Sequence, residues 1–195
     1  TKLNLSPYYL KPGFAFGGSC LPKEVRAVAH IARQQGVDLP MIESLGVSNK
    51  THIERTVEMV RETGAKQVGV LGLAFKQGTD DLRESPILEV IAALNADGVK
   101  VAIHDTAITP ETPLAGQLAY VRHGSPGLQA LATDLPKMMR ADVRDVTHGA
   151  DALIVTHNND MYRDVVLNAE NTPVIDVVRI VETLQGNANY HGIGW

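Results

Sequence analysis

One cysteine among 195 residues has no partner within the chain, so no internal disulfide braces this protein, and a reducing cytoplasm fits it. Positive charge is also short. Eighteen Lys and Arg against 22 Asp and Glu leave a net charge of −4 and a pI near 5.9, whereas a nucleic-acid-binding face needs a basic excess. No apolar run approaches the roughly 20 residues that cross a bilayer. The seven His show no metal-ligand spacing, and with a single Cys there is no ligand set for a structural zinc. Aromatics are few, three Phe, five Tyr and one Trp, and all three Phe fall in two short glycine-bearing stretches. There is neither an initiator methionine nor a signal peptide at Thr1, which points to a piece of a longer chain. What remains is an ordinary globular composition, 44% hydrophobic and 21% charged. That is enough for one large domain, or for one domain and part of another.

Along the chain the grammar changes once. Residues 1–20 are rich in Gly and Pro, which break regular structure and let backbone approach a ligand closely. Leu21 to Gln35 reads as a helix: Pro22 and Glu24 suit its first turn, Val25, Val28, Ala29 and Ala32 repeat at helical spacing, and Gly36 stops it. Pro40 opens a second helix to about Thr63, closed by Gly64. Its apolar stripe is Met41, Leu45, Ile53, Val57 and Val60, with Ser48 to Thr51 a polar interruption. At 1.5 Å per residue it is roughly 30–35 Å long, a length that suits either a bridge between domains or subunits or a core helix.

From Lys66 onward strands and helices alternate. Strands are expected at 67–73, 99–105, weakly at 118–121, at 152–156 and at 173–177. Helices are expected at 85–94 with Ser85 as N-cap, around 134–140 and 143–148, and at 162–167. This spacing predicts an α/β chain: a helical segment over 1–64, then a Rossmann-like domain over 65–195 with a doubly wound parallel sheet.

Two stretches carry chemistry. Cys20 stands where a glycine-rich loop becomes a helix, and there the helix's free N–H groups and dipole favour a thiolate. Lys23 adds positive charge on the same face, and Glu24 brings a carboxylate that can act as a base toward water. The alternative is a small buried hydrophobe, the usual fate of a lone cysteine. The second stretch, Gly72 to Pro86, lies between the first strand and its helix, where doubly wound sheets bind phosphates. It is no dinucleotide fingerprint, because Gly69 and Gly72 do not fit G-x-G-x-x-G and the loop is too long. It does carry Lys76 and Arg83, which suit a phosphate as point charge and fork respectively. Local pairing of Arg83 with Asp80 or Asp81 accounts for the same residues. Asp105 ends a strand where Rossmann folds place a ribose-binding acid; without the fingerprint a strand-end cap explains it as well.

Together these stretches are recognisable. Gly13-Phe-Ala-Phe-Gly-Gly-Ser-Cys-Leu-Pro-Lys-Glu24 resembles the catalytic-cysteine motif of the UDP-glucose/GDP-mannose dehydrogenase family. Ala74-Phe75-Lys76, followed by Asp81-Leu82-Arg83-Glu84-Ser85-Pro86, resembles its second signature, in the family's order and spacing. The resemblance implies a cytoplasmic enzyme that oxidises C6 of a nucleotide sugar from alcohol to acid with two NAD+ per turnover. It makes Cys20 the nucleophile, through a thiohemiacetal and a thioester. It assigns Lys23 and Arg83 to NAD and Lys76 to the sugar nucleotide, whose site Tyr8, Tyr9, Lys11, Phe14 and Gly17 would line. Glu24 stands where an Asp is common, and Lys11 where an Arg is familiar.

Within the family the Tyr8 to Phe16 stretch is most similar to the GDP-mannose branch, which supplies GDP-mannuronate for alginate. The UDP-glucose and UDP-N-acetylhexosamine branches stay open. The resemblance further implies a homodimer or higher homo-oligomer through the long central helix, with domains possibly exchanged between chains. Nothing here matches the family's N-terminal NAD-binding domain, so these residues alone are expected to lack activity. A non-catalytic nucleotide-binding or dimerisation module is the rival reading. A cysteine hydrolase is another, and it would need a His such as His157 or His191 brought to Cys20 by the fold.

Overall fold

A computed structural model describes residues 13–119, 121, 124–184 and 187–194. The helical segment comprises α1 (Leu21–Gln34) and α2 (Pro40–Thr63). Each has proline in its first turn, where a missing N–H costs nothing, and Gly64 at φ +71 ends α2 in a left-handed turn. Five strands follow: β1 (Gln67–Leu71), β2 (Lys100–His104), β3 (Ala152–Val155), β4 (Val174–Asp176) and β5 (Tyr190–Gly192). Between them lie α3 (Pro86–Ala96), α4 (Pro126–Met138), α5 (Val143–Thr147), α6 (Asp160–Leu167) and a 3-10 turn at Glu182–Leu184. The sheet is parallel throughout, in the order β2-β1-β3-β4-β5. The chain leaves β1 toward β2 and then crosses back to β3 on the other side, so the topological switch point lies between β1 and β3.

Both sheet faces are covered, which is why the strands are apolar without alternation. Val68 and Val70 of β1 and Ile154 of β3 belong to a core shared with Ile53, Val57 and Val60 of α2, Ile87 and Ile91 of α3 and Leu135 of α4. Leu71, Leu153 and Val155 belong to a second core with Val146 of α5 and Tyr162 and Val166 of α6. Along β3, Ala152 and Ile154 face the first core and Leu153 and Val155 the second.

The expected doubly wound sheet is present, with four differences in detail. Among the described residues of 118–121 there is no strand; the chain turns there, and Leu118 and Val121 are buried by packing alone. The helix expected near 134–140 begins eight residues earlier, at Pro126, because Ser125 caps it by accepting from the Leu128 N–H at 3.4 Å. β5 was not expected: three residues carry no periodicity, and only pairing with β4 makes them a strand. The apolar stripe of α2 is buried only in its second half. Met41 is 78% exposed, and Val47, on the same half of the helix, is 69% exposed. Among the described residues no helix is long and apolar enough to cross a membrane, and no cluster of His, Cys, Asp or Glu is placed to hold a metal ion.

Candidate active site

Cys20 is exposed and occupies the N-cap position of α1, with its sulfur 3.6 Å from the Ser19 hydroxyl. The loop before it is fastened on two sides. On one, Asn49 of α2 grips the Phe16 backbone, its Oδ1 accepting from the Phe16 N–H at 2.7 Å and its Nδ2 donating to the Phe16 carbonyl at 2.9 Å. On the other, the Gly18 N–H donates to the Arg83 carbonyl at 3.0 Å. The two glycines are dictated by this contact. A Cβ on Gly17 would lie 2.3 Å from the Glu84 carbonyl oxygen, and one on Gly18, at φ +86, would lie 2.7 Å from the Phe75 ring. A bidentate Arg26–Glu84 pair (2.8 and 2.7 Å) ties α1 to the same segment, and Glu84 itself sits at φ +49. The cysteine loop and the loop after β1 are therefore one packed unit, although more than fifty residues separate them.

The root of the second loop is held from below. The Gly72 N–H donates to the His104 carbonyl at 2.9 Å, and the Gly72 carbonyl accepts from the Thr156 hydroxyl at 2.8 Å. Asp105 Oδ2 accepts from the Leu73 and Ala74 N–H groups at 2.7 and 3.1 Å, and its Oδ1 from the Ala107 N–H at 2.8 Å. Ser85 donates its hydroxyl to the Leu73 carbonyl at 2.7 Å, and His157 Nε2 lies 2.8 Å from the Ala74 carbonyl. Asp105 thus caps a neighbouring loop and is buried with both oxygens engaged, as the strand-end-cap alternative expects. Ser85 does stand at the N-cap of α3, but its side chain serves Leu73 rather than the helix.

Beyond that root the charged groups face outward. Lys76 is exposed on the loop past Phe75. Arg83 pairs with Asp81 (2.8 and 2.6 Å), so the local pairing weighed from sequence is formed. That pairing lowers the Asp81 carboxyl and raises the Arg83 guanidinium, to which the Cys20 sulfur also contributes. Lys23 is held above the ordinary lysine value first by Glu24, 3.1 Å away, and also by the Cys20 sulfur. Glu24 turns to Lys23, not to the sulfur.

Of the residues expected at the site, Cys20, Gly17, Lys23 and Arg83 share this unit, and Phe14 packs against the main core beside it. Tyr8, Tyr9 and Lys11 lie outside the described residues. His157 is committed to Ala74 under the other loop, and His191 lies on the edge strand β5. Asn49, Thr156 and His157 were not singled out for these roles. Only Asn49 left a trace in the sequence, as a polar residue interrupting an apolar helix.

A parallel α/β sheet with a cation-bearing loop at its switch point defines a nucleotide-handling class of protein. Comparison with known proteins narrows it. Residues 69–183 match the UDP binding domain of the UDP-glucose/GDP-mannose dehydrogenase family, and residues 1–51 match that family's central domain. The chain belongs to the UDP-glucose/GDP-mannose dehydrogenase family, whose members are nucleotide-sugar oxidoreductases. It is 37% identical over 165 residues to the GDP-mannose 6-dehydrogenase of Pseudomonas aeruginosa, covering 85% of this chain and 36% of that protein. The crystal structure of a ternary complex of GDP-mannose dehydrogenase from the same organism superposes with a TM-score of 0.81 at 34% identity, covering 100% of this chain and 43% of that one. The UDP-glucose 6-dehydrogenase of P. aeruginosa is 39% identical over 106 residues, covering 52% of this chain and 23% of that protein. The chain therefore spans less than half the length of the relatives it matches.

Proposed function

We propose that this chain forms the nucleophile-bearing and sugar-nucleotide-binding part of an NAD-dependent nucleotide-sugar 6-dehydrogenase, with GDP-mannose as the sugar nucleotide. One observation carries the reading: an exposed cysteine at a helix start, in a loop packed against the cation-bearing loop at the sheet's switch point. In this reading Cys20 attacks the C6 aldehyde left by the first oxidation and holds it as a thiohemiacetal. Loss of hydride from that carbon and of the proton from its hydroxyl leaves a thioester, and water cleaves it to the acid and the free thiol. The sulfur is exposed, so a substrate carbon can reach it for attack and water can reach the thioester. NAD, when bound, accepts the hydride in each oxidation.

The described residues fit NAD only in part. Lys23 and Arg83 would hold it, but residues 72–85 lack the tight glycine turn of a dinucleotide site. Lys76 binds the sugar nucleotide as a point charge, and Phe14 and Gly17 line its site; Tyr8, Tyr9 and Lys11, assigned to it by the resemblance, lie outside the described residues. The division falls near Gly64, with residues 1–64 carrying the cysteine and the association helices and residues 65–195 the nucleotide domain. The exposed Val28, Ile31, Met41 and Val47 on α1 and α2 support association of two copies there. GDP-mannose is favoured over UDP-glucose because GDP-mannose relatives match 85% or more of the chain and the UDP-glucose relative about half. Such an enzyme works in the cytoplasm, and its product is the precursor of alginate.

Two measurements test the proposal. Iodoacetamide should alkylate the exposed Cys20 fast at neutral pH; an inert thiol would leave only the non-catalytic binding module. Calorimetry should show GDP-mannose binding at least about tenfold tighter than UDP-glucose, a difference of roughly 1.4 kcal/mol; the reverse order would move the assignment to the UDP-glucose branch. The 195 residues alone should form no NADH from GDP-mannose.

A further inference from the structure

The backbone between Gly72 and Phe75 is bonded at every polar group from the Gly72 N–H to the Phe75 N–H, and most of the partners are not its own neighbours. They come from the carboxyl ends of two other strands, through His104 and Asp105 after β2 and Thr156 and His157 after β3, together with Ser85 at the start of α3. Buried backbone groups must be paired, and here the pairing fixes the conformation of the loop root. His157 is the member whose chemistry fits least easily. Its side chain is 3% exposed, and the Ala74 carbonyl can only accept, so Nε2 carries the proton and donates. Nδ1 then has no hydrogen-bond partner and faces Asp105 Oδ2 at 3.6 Å.

A histidine buried with one nitrogen unpaired is an expensive way to fill space. Room has also been made for it: a Cβ on Gly72 would lie 2.4 Å from the Thr156 hydroxyl and 2.6 Å from the His157 ring. Cavity filling alone would be served by a leucine.

We infer that His157 is a positioning residue for the nucleotide loop: its Nε2–H holds the Ala74 carbonyl, and so sets the direction in which the chain presents Phe75 and Lys76. The inference rests on the proposed role of Lys76 at a sugar nucleotide. The bond lies two residues before Lys76 and one before Phe75, the ring on which Gly18 of the cysteine loop packs. Fixing it orders the loop before ligand arrives, so less freedom is lost on binding. Asp105 works beside it, on the N–H of the same residue.

Two polar variants separate this role from a structural one. In His157→Gln the amide nitrogen reproduces the reach of Nε2. In His157→Asn it reproduces only Nδ1. Both are neutral and hydrogen-bonding, but Asn is one methylene smaller. His157→Leu, close to histidine in volume and without a donor, is therefore measured beside them and should lose binding and loop protection as His157→Asn does. GDP-mannose titration by calorimetry, and amide hydrogen exchange across residues 72–78, are measured on each with the wild-type chain. His157→Gln should bind within about threefold of wild type, and His157→Asn about tenfold more weakly with faster exchange in the loop, as expected for one lost buried hydrogen bond. Equal loss in the two variants, or unchanged exchange in both, would overturn the inference. If the wild-type chain does not bind GDP-mannose at all, the proposed function fails instead, and the difference in exchange between the two variants still decides the role of His157.

Discussion

Gly17 and Gly18 show how much one hydrogen atom in place of a side chain can decide. At Gly17 the obstacle is the Glu84 carbonyl, which is backbone and cannot swing aside. Gly17→Ala should therefore push the cysteine loop off the second loop, lowering stability by roughly 1–3 kcal/mol in denaturant titrations and changing the alkylation rate of Cys20. Gly13, around which a Cβ would meet nothing within 4 Å, is the matched control, and Gly13→Ala should be neutral in both measurements. Both glycines are visible in the sequence as loop-formers. Nothing there says which of them is pressed against a carbonyl, because that neighbour is more than sixty positions away. The same limit applies to Asp105. Its place at a strand end was legible, whereas its bonds to Leu73 and Ala74 depend on β1 and β2 lying side by side.

Between elements, the Arg26–Glu84 pair is the link whose value can be measured. Arg26 is 63% exposed, so solvent screens the pair, and its bidentate geometry is worth only about 1 kcal/mol in a double-mutant cycle. Glu84 adds a backbone effect. It sits at φ +49, which costs a non-glycine residue about 1 kcal/mol. Glu84→Gly should consequently be less destabilising than Glu84→Ala by about that amount, while Arg26→Ala loses the pair alone. Equal melting temperatures for the two Glu84 variants would show that the left-handed turn is not strained. At this scale the sequence was informative where periodicity is long. α1, α2 and α3 were legible with ends within about two residues, because proline, glycine and apolar spacing agree. The start of α4 and the whole of β5 were not. One depends on a single serine cap, the other on three residues whose only strand signal is a neighbour.

For the molecule as a whole, pH tests how the sheet edge is assembled. His104 is buried with its Nδ1 2.9 Å from the Tyr162 hydroxyl, and burial lowers its pKa below the ordinary 6.5. The unfolded chain therefore binds this proton more readily than the folded one. The penalty is absent above about pH 6.5 and grows as pH falls below that value. The melting temperature should fall between pH 7.5 and 5, and His104→Asn should flatten that slope. The carboxylates whose pKa values are lowered by their partners, Asp81, Asp142 and Asp151, lose their contribution only at lower pH, below about 4, so the loss that begins below about pH 6.5 is not theirs. By itself the sequence determined what depends on near neighbours: the α/β alternation, the parallel sheet, the two signature stretches and the one cysteine at a helix start. These follow from spacing, capping and the chemistry of single residues. The tertiary structure alone decided that the two stretches form one packed unit, that the Arg83 carbonyl accepts from Gly18 of the cysteine loop while its guanidinium pairs with Asp81, and that the loop root is held by His104, Asp105, Thr156 and His157. Those contacts join residues that only a crossing of strands brings together, and no local pattern encodes a neighbour eighty residues away.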